Sequence, residues 1–256
     1  GIHLPSPAKD RLFEAWFTWK EIKLSSGKSA YLLGFVPLTE YPGGGFKDLS
    51  KEGFVLAETT GVYFFNEIAP NVCRVTRIQT VDLHFQGLQK TLMDKAIDYL
   101  AKSQLIEANR LQEKFRRNGK KVDAEVRGVL VDRMREGVEF EESQKRVFGE
   151  LKELLGGENE EGWGHLESPY GGVKMEIKYS QQKKGERSIT LGRAYGNADC
   201  TAEEAAAWYF EYCGRERNTL GFQAGDLARL EVRKGVQRRN EKLNASVKKF
   251  PFLLNN

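Results

Sequence analysis

At 256 residues, with 40% hydrophobic and 30% charged side chains, the chain has the composition of a globular protein, and its length allows one large domain or two small ones. Forty Lys and Arg against 36 Asp and Glu leave a formal charge of +4, too small to demand a nucleic-acid partner. No stretch approaches the ~20 uncharged apolar residues of a membrane-spanning helix, and the first residues lack the order of a signal peptide, so a soluble, cytoplasmic protein is expected.

The first third reads as strands, because aromatic and β-branched residues recur in short runs punctuated by Gly and Pro. They fall at 11–22 (RLFEAWFTWKEI), 29–36 (SAYLLGFV), 54–66 (FVLAETTGVYFFN) and 71–82 (NVCRVTRIQTVD). In the last, Val72, Arg74, Thr76 and Ile78 share one face while Cys73, Val75, Arg77 and Gln79 share the other. Neither face is cleanly polar, which suits a strand covered on one side and wet or helix-covered on the other. At Leu88 the period changes. Leu88, Leu92, Ala96, Leu100, Ala108, Leu111 and Phe115 recur at three- and four-residue intervals, the stripe of a long amphipathic helix that Asn118 and Gly119 end.

Two further helices are expected at 122–136 and 138–155, and Gly156, Gly157 and the acidic 158–164 form a joint. Residues 118–166 therefore read as a helical connector. Strands return at 172–180, 187–198, 228–234 and 240–250. Between the second and third of these, Thr201 is an N-cap, Glu204 its capping-box partner and Gly214 a stop. The helix they bound carries Ala205, Ala206, Trp208, Tyr209, Phe210 and Tyr212, and so little polar surface implies that it is wedged against a sheet.

Catalytic and cofactor signatures are weak. Cys73, Cys200 and Cys213 are odd in number and lack CxxC spacing, which suits buried, reduced thiols. Ser26-Gly27-Lys28-Ser29 lacks the glycine of a phosphate loop, because Ile22 stands five residues before Gly27. Gly43, Gly44 and Gly45 make a turn and no dinucleotide fingerprint. His3, His84 and His165 show no zinc-site spacing, and Glu139, Glu141 and Glu142 form a solvated charge run. No cofactor and no metal are expected. Basic clusters at 114–121, 183–187 and 233–239 read as solvated loops, with weak contact to an anionic membrane surface as their next use.

Residues 168–218 (SPYGGVKMEIKYSQQKKGERSITLGRAYGNADCTAEEAAAWYFEYCGRERN), continued by 229–234 (RLEVRK) and 241–252 (EKLNASVKKFPF), resemble the opening half of START-type lipid-binding domains, of the helix-grip, Bet v 1-like superfamily. The likeness is to the tandem START-like repeats of algal and oomycete proteins in particular. Asn71 to Asp82 resembles that family's penultimate strand and 88–117 its long C-terminal helix, although His84 to Leu88 lacks the proline usual before that helix. The resemblance implies an α+β helix-grip fold: a curved antiparallel sheet wrapped around one long helix. Its second half (10–117) precedes its first (167–256), so 1–256 would be one domain, circularly permuted or completed by domain swapping in a homodimer or with neighbouring repeats.

The family further implies non-enzymatic binding of a lipid or sterol-like hydrophobic ligand between sheet and helix. Candidate lining residues are Leu32, Phe35, Phe64, Val75, Arg77 and Tyr195 from the strands, with Leu92, Met93, Ala96, Ile97 and Leu100 from the helix. A cavity of roughly 300–1,000 Å³ is the size expected of a small-molecule site. The alternative is a ligand-free interaction or scaffold module of a multi-repeat protein. An enzyme working inside the cavity would need convergent ionisable groups, for which Arg77 and Glu231 are the mid-strand candidates.

Overall fold

Residues 10–43, 53–84, 90–115, 131–132, 134, 141–156, 162–168, 170–179, 190–223, 226–232 and 240–249 are described in a computed structural model of the chain. The aromatic and β-branched runs form strands β1 (Arg11–Lys23), β2 (Ser29–Pro37), β3 (Val55–Ala69) and β4 (Val72–Asp82), and then β5 (Gly164–Leu166), β6 (Val173–Tyr179), β7 (Thr190–Ala198), β8 (Asp226–Glu231) and β9 (Glu241–Lys248). All nine join one sheet in the order β5-β6-β7-β4-β3-β2-β1-β9-β8. Every neighbouring pair in that order is antiparallel. Strand β3 outruns β2, so its first residues, Val55 to Ala57, reach β1 and pair in parallel with Arg11 to Phe13. Strand β9 lies antiparallel to β1 within the same chain, Lys248 opposite Arg11 and Glu241 opposite Thr18.

Four α-helices have defined bounds among the described residues: α1 (Lys90–Lys114), α2 (Glu142–Gly156), α3 (Ala202–Phe210) and α4 (Arg215–Gln223); residues 131, 132 and 134 are helical as well. Helix α3 starts as its sequence predicts. The Thr201 hydroxyl accepts from the Glu204 amide at 3.2 Å, and the Glu204 carboxylate accepts from the Thr201 amide at 2.9 Å, a closed capping box. None of the described helices is long and apolar enough to cross a membrane.

The helix-grip expectation is overturned by how the sheet is covered. A grip fold wraps one sheet face around one long helix; here a nine-stranded antiparallel sheet dominates and four helices flank it. The cause is in the strands. Trp16 and Phe17, Leu32 and Leu33, and Val62 and Tyr63 are adjacent pairs in which both members are buried, so alternation sends apolar side chains to both faces. On one face Phe17, Leu33, Phe35, Tyr63, Phe65 and Val75 pack with α3 and with Leu111 and Phe115 at the end of α1. On the other, Trp16, Leu32, Val36, Val62, Ile78 and Leu243 pack with Val147, Phe148 and Leu151 of α2.

Helix α2 comes from the segment read as a connector, yet it supplies a packing layer. Gly34 makes room for it, since a Cβ there would stand 2.4 Å from Cδ1 of Leu151. On the first face α1 packs its Ala101 and Leu105 against Val173, Met175 and Ala194, while Lys95, Asp98 and Lys102 are exposed. Lys114, the first residue of a basic cluster read as a solvated loop, is half-buried and pairs with Glu216. The three cysteines are free thiols, Cys73 and Cys200 buried and Cys213 half-buried. His3, Gly44, Gly45, residues 116–121, 183–187 and 233–239 of the basic loops, most of the helix expected at 122–136 and the side chains of Leu92 and Met93 lie outside the described residues.

Candidate functional site

Between the sheet and α1 is a cavity of about 80 Å³. Phe13, Phe17 and Phe35 from the strands and Leu100 from α1 give it apolar walls, while Arg77, Gln79, Glu107, Arg229, Asn244 and Lys248 line the rest. Phe35 can lie close over β3 because of Gly61, where a Cβ would stand 2.4 Å from Cζ of Phe35.

The charged groups converge from five elements. Glu107 of α1 is the hub: one carboxylate oxygen accepts from Nη2 of Arg217 in α4 at 3.0 Å and from Nη2 of Arg229 in β8 at 2.8 Å. Its other oxygen lies 3.5 Å from Nη1 of Arg77 in β4. Asp226 accepts from Nε of Arg229 and stands 2.6 Å from Nζ of Lys248 in β9, which also donates to the Ser103 hydroxyl at 3.2 Å. A register shift between Asp226 and Ala228 leaves both Asp226 and Arg229 buried, as expected when a bulge adds a residue to one strand. In α4, Gly221 allows this approach, because a Cβ there would lie 2.5 Å from Nε of Arg229.

Taking an ion out of water costs several kcal/mol, and only close partners offset it. Arg217 and Arg229 are almost fully buried, and both find more than Glu107. Arg217 donates to the carbonyls of Trp208 and Tyr209 at 3.2 and 3.1 Å, satisfying acceptors that the end of α3 leaves open. Its guanidinium lies 4.4 Å from the Trp208 ring centroid, that of Arg229 4.3 Å from Tyr212, and that of Arg77 4.9 Å from Tyr63. Two donors on the lining are left over. Nε of Arg77 and Nδ2 of Asn244 are buried without a hydrogen-bond partner, although Arg77 also donates from Nη2 to Gln79 and Asn244 accepts from the Cys213 thiol at 3.2 Å.

The protonation states are fixed by the same contacts. Burial opposes ionisation of Glu107, but Arg217, Arg229 and Arg77 outweigh it and hold the carboxyl well below the usual carboxylate range. Burial pushes the Tyr63 and Tyr209 phenols above their ordinary value and the Cys213 thiol up to about 11. At neutral pH the carboxylate of Glu107 is charged, these phenols and thiol are neutral, and none is poised to exchange a proton.

Of the residues expected to line a site, Phe35, Arg77 and Leu100 line this cavity. Val75 and Tyr195 line, with Arg77, a smaller one of about 20 Å³. Leu32 and Phe64 belong to the α2 face, Ala96 packs with Phe13, Ala57 and Leu83, and Ile97 is half-buried. Glu231 is exposed at the end of β8. Glu107, Arg217, Asp226, Arg229, Asn244 and Lys248 escaped the sequence reading, since each looks like an ordinary polar residue between apolar ones and they meet only in the fold. One group outside the cavity could hold a metal ion. Glu58, Asp82 and His84 offer ligand atoms within 4.8 Å of one another, with Nε2 of His84 3.8 Å from Glu58 and 3.9 Å from Asp82. All three are partly exposed, and the pairing of Glu58 with Asp82 across β3 and β4 brings them together.

No protein-family model, no curated protein and no solved structure matches the chain, and nothing in these comparisons identifies a START or Bet v 1-like domain.

Proposed function

We propose that the protein is a non-enzymatic binder of a small amphiphilic molecule, held in the cavity between the sheet and α1. The observation that carries this reading is the lining: aromatic and aliphatic walls on one side and convergent polar groups on the other, Gln79, Arg229 and Asn244 buried and Arg77, Glu107 and Lys248 half-buried, the pattern of sites that fix a ligand's orientation. At about 80 Å³ the space is well short of the roughly 300–1,000 Å³ of drug-sized pockets, so the ligand is a short molecule and the sterol-sized guest is set aside. Binding is favoured over acid–base catalysis because Glu107, Tyr63, Tyr209 and Cys213 are each held away from a neutral-pH transition. Free thiols suit the cytoplasm.

Native mass spectrometry of the full chain purified from cells tests this reading. The expected result is a bound mass, released on denaturation and missing from Leu100→Trp, whose indole would fill the cavity. The reading fails if the parent carries no bound mass and no small molecule shifts the side-chain amide resonances of Gln79, Gln104 and Asn244.

A second reading, an interaction module, draws on β8. This strand ends the sheet order and exposes Leu227 and Leu230, the latter to 62%, and an open, apolar edge is a template for pairing with another chain. Light scattering on Leu230→Lys against the parent would show it as a loss of self-association.

A further inference from the structure

Resting on the reading of the cavity as a small-molecule site, we propose that its ligand is an anion, a short-chain carboxylate whose two oxygens face Arg77 and Asn244 and whose tail lies against Phe13 and Leu100. The charge balance points to an anion. Arg77, Arg217, Arg229 and Lys248 are four cations, and the carboxylates that bridge them are two, Glu107 and Asp226. Two positive charges stand beside an apolar cavity without a counter-charge in this cluster. Each of the four has a carboxylate neighbour, but Glu107 alone serves three of them, so an anionic guest supplies the counter-charge that the cluster lacks.

The hydrogen bonds point the same way. Among the lining residues, the buried side-chain polar atoms without a partner are Nε of Arg77 and Nδ2 of Asn244. Both are donors, so the vacancy they define is for an acceptor, and a carboxylate accepts at both oxygens. Asn244 is 1% exposed, so bulk water does not satisfy its amide.

Of the four cations, Arg77 is the one available to a ligand. Arg217, Arg229 and Lys248 each hold a carboxylate oxygen at 3.0 Å or less. Arg77 stands 3.5 Å from Glu107 and its side chain is 18% exposed, against 3% and 2% for Arg217 and Arg229. It lies over the rings of Tyr63 and Phe35, which hold the guanidinium plane while leaving its edge to hydrogen-bond. The size of the cavity, room for roughly three waters at ~30 Å³ each, suits a carboxylate with a few carbons. The apolar walls favour such a tail over the all-polar surface of a phosphate.

The test uses the full chain with butyrate, its neutral isostere butyramide, and inorganic phosphate, at constant ionic strength, followed by the Asn244 side-chain amide resonance and by calorimetry. Butyrate is expected to saturate and to bind at least tenfold more tightly than butyramide or phosphate. Arg77→Gln should weaken butyrate at least tenfold, and Arg77→Lys, which keeps the charge, should lose less. Circular dichroism of both variants should match the parent; if Arg77→Gln fails to fold, the butyrate-to-butyramide ratio in the parent decides alone. Equal affinity for butyramide overturns the anion while leaving a small-molecule site in place. Tighter binding of phosphate overturns the carboxylate. No response to any of the three overturns the inference, and the bound mass in the protein purified from cells then shows separately whether the site itself stands.

Discussion

The two faces of the sheet bury comparable side chains against helices, yet they are built on opposite principles. Against α2 the contacts are mainly apolar, with one buried amide, Gln144, donating to Thr18 and Glu241: Val147, Phe148 and Leu151 meet Trp16, Leu32, Val62 and Leu243, and burial of that kind is stabilising in proportion to area and indifferent to partner identity. Against α1 the core is interrupted by a cavity and by six charged side chains whose positions are fixed by one another. Adjacent residues of the same strands serve both faces, so the difference is one of alternation and not of strand quality. One face holds the sheet together; the other has spent some of that stability on a shaped, polar interior.

The largest expected effect breaks the charged face at its hub. Glu107→Gln keeps the volume but leaves Arg217, Arg229 and Arg77 without their shared carboxylate, and removing one partner of a buried ion network costs about 3–5 kcal/mol. Urea denaturation reads it as a lower midpoint, and an unchanged midpoint would mean that the cluster is solvated. On the other face, Leu151→Ala removes a fully buried side chain and should cost about 3 kcal/mol, within the range of leucine truncations that leave a partly collapsed void. A change under about 1 kcal/mol would show that α2 is loosely applied and that the sheet stands without it.

Acid sharpens the comparison, because the charged face alone depends on a carboxylate with a depressed pKa. In the unfolded chain Glu107 takes a proton near ~4.3, whereas in the fold it stays ionised to much lower pH. The unfolded state therefore binds more protons on acidification, and the stability Glu107 contributes is fully present above its unfolded pKa and drains away below it. The gap in urea stability between the parent and Glu107→Gln should narrow between about pH 5 and pH 3. Leu151→Ala should keep a constant gap over that range, since no titrating group is altered.

Much of the scaffold was legible in the sequence for physical reasons that are easy to name. The runs at 11–22, 29–36, 54–66 and 71–82 became β1 to β4 within a few residues, because aromatic and β-branched residues between turn formers have few other ways to be buried. The alternation in β4 placed Cys73, Val75, Arg77 and Gln79 on one face, and the structure packs Cys73 and Val75 with α3 and sets Arg77 and Gln79 in the cavity. What was not legible is what depends on distant partners. Arg217 and Glu107 are 110 residues apart and Arg229 and Glu107 are 122, so no local spacing announces the cluster. Helix α4, with the sequence RERNTLGFQ, has no apolar stripe and is ordered by what Arg217 and Gly221 touch. Helix α2 showed its period but not its surface, and reading 118–166 as a connector left one face of the sheet uncovered. The family likeness filled that gap with a single long helix, and the doubly buried strands do not allow it.

The smallest effect is expected earlier on the helix that carries the hub, where the same chemistry sits in water. On α1, Asp98 and Lys102 form an i,i+4 ion pair at 2.7 Å with side chains 59% and 66% exposed, the acidic residue on the N-terminal side as helices prefer. The partners at Glu107 are no better oriented, yet they are expected to be worth several times more, because the difference lies in what surrounds the charges. Exposed ions keep most of their hydration when the pair breaks, salt screens their attraction, and holding two long side chains together costs rotamer entropy. Lys102→Ala should therefore change the urea midpoint by no more than about 0.5 kcal/mol equivalent, and added salt should shrink even that. A loss near that of Glu107→Gln would mean that Lys102 is buried by a partner, and that α1 presents its outer face to something other than water.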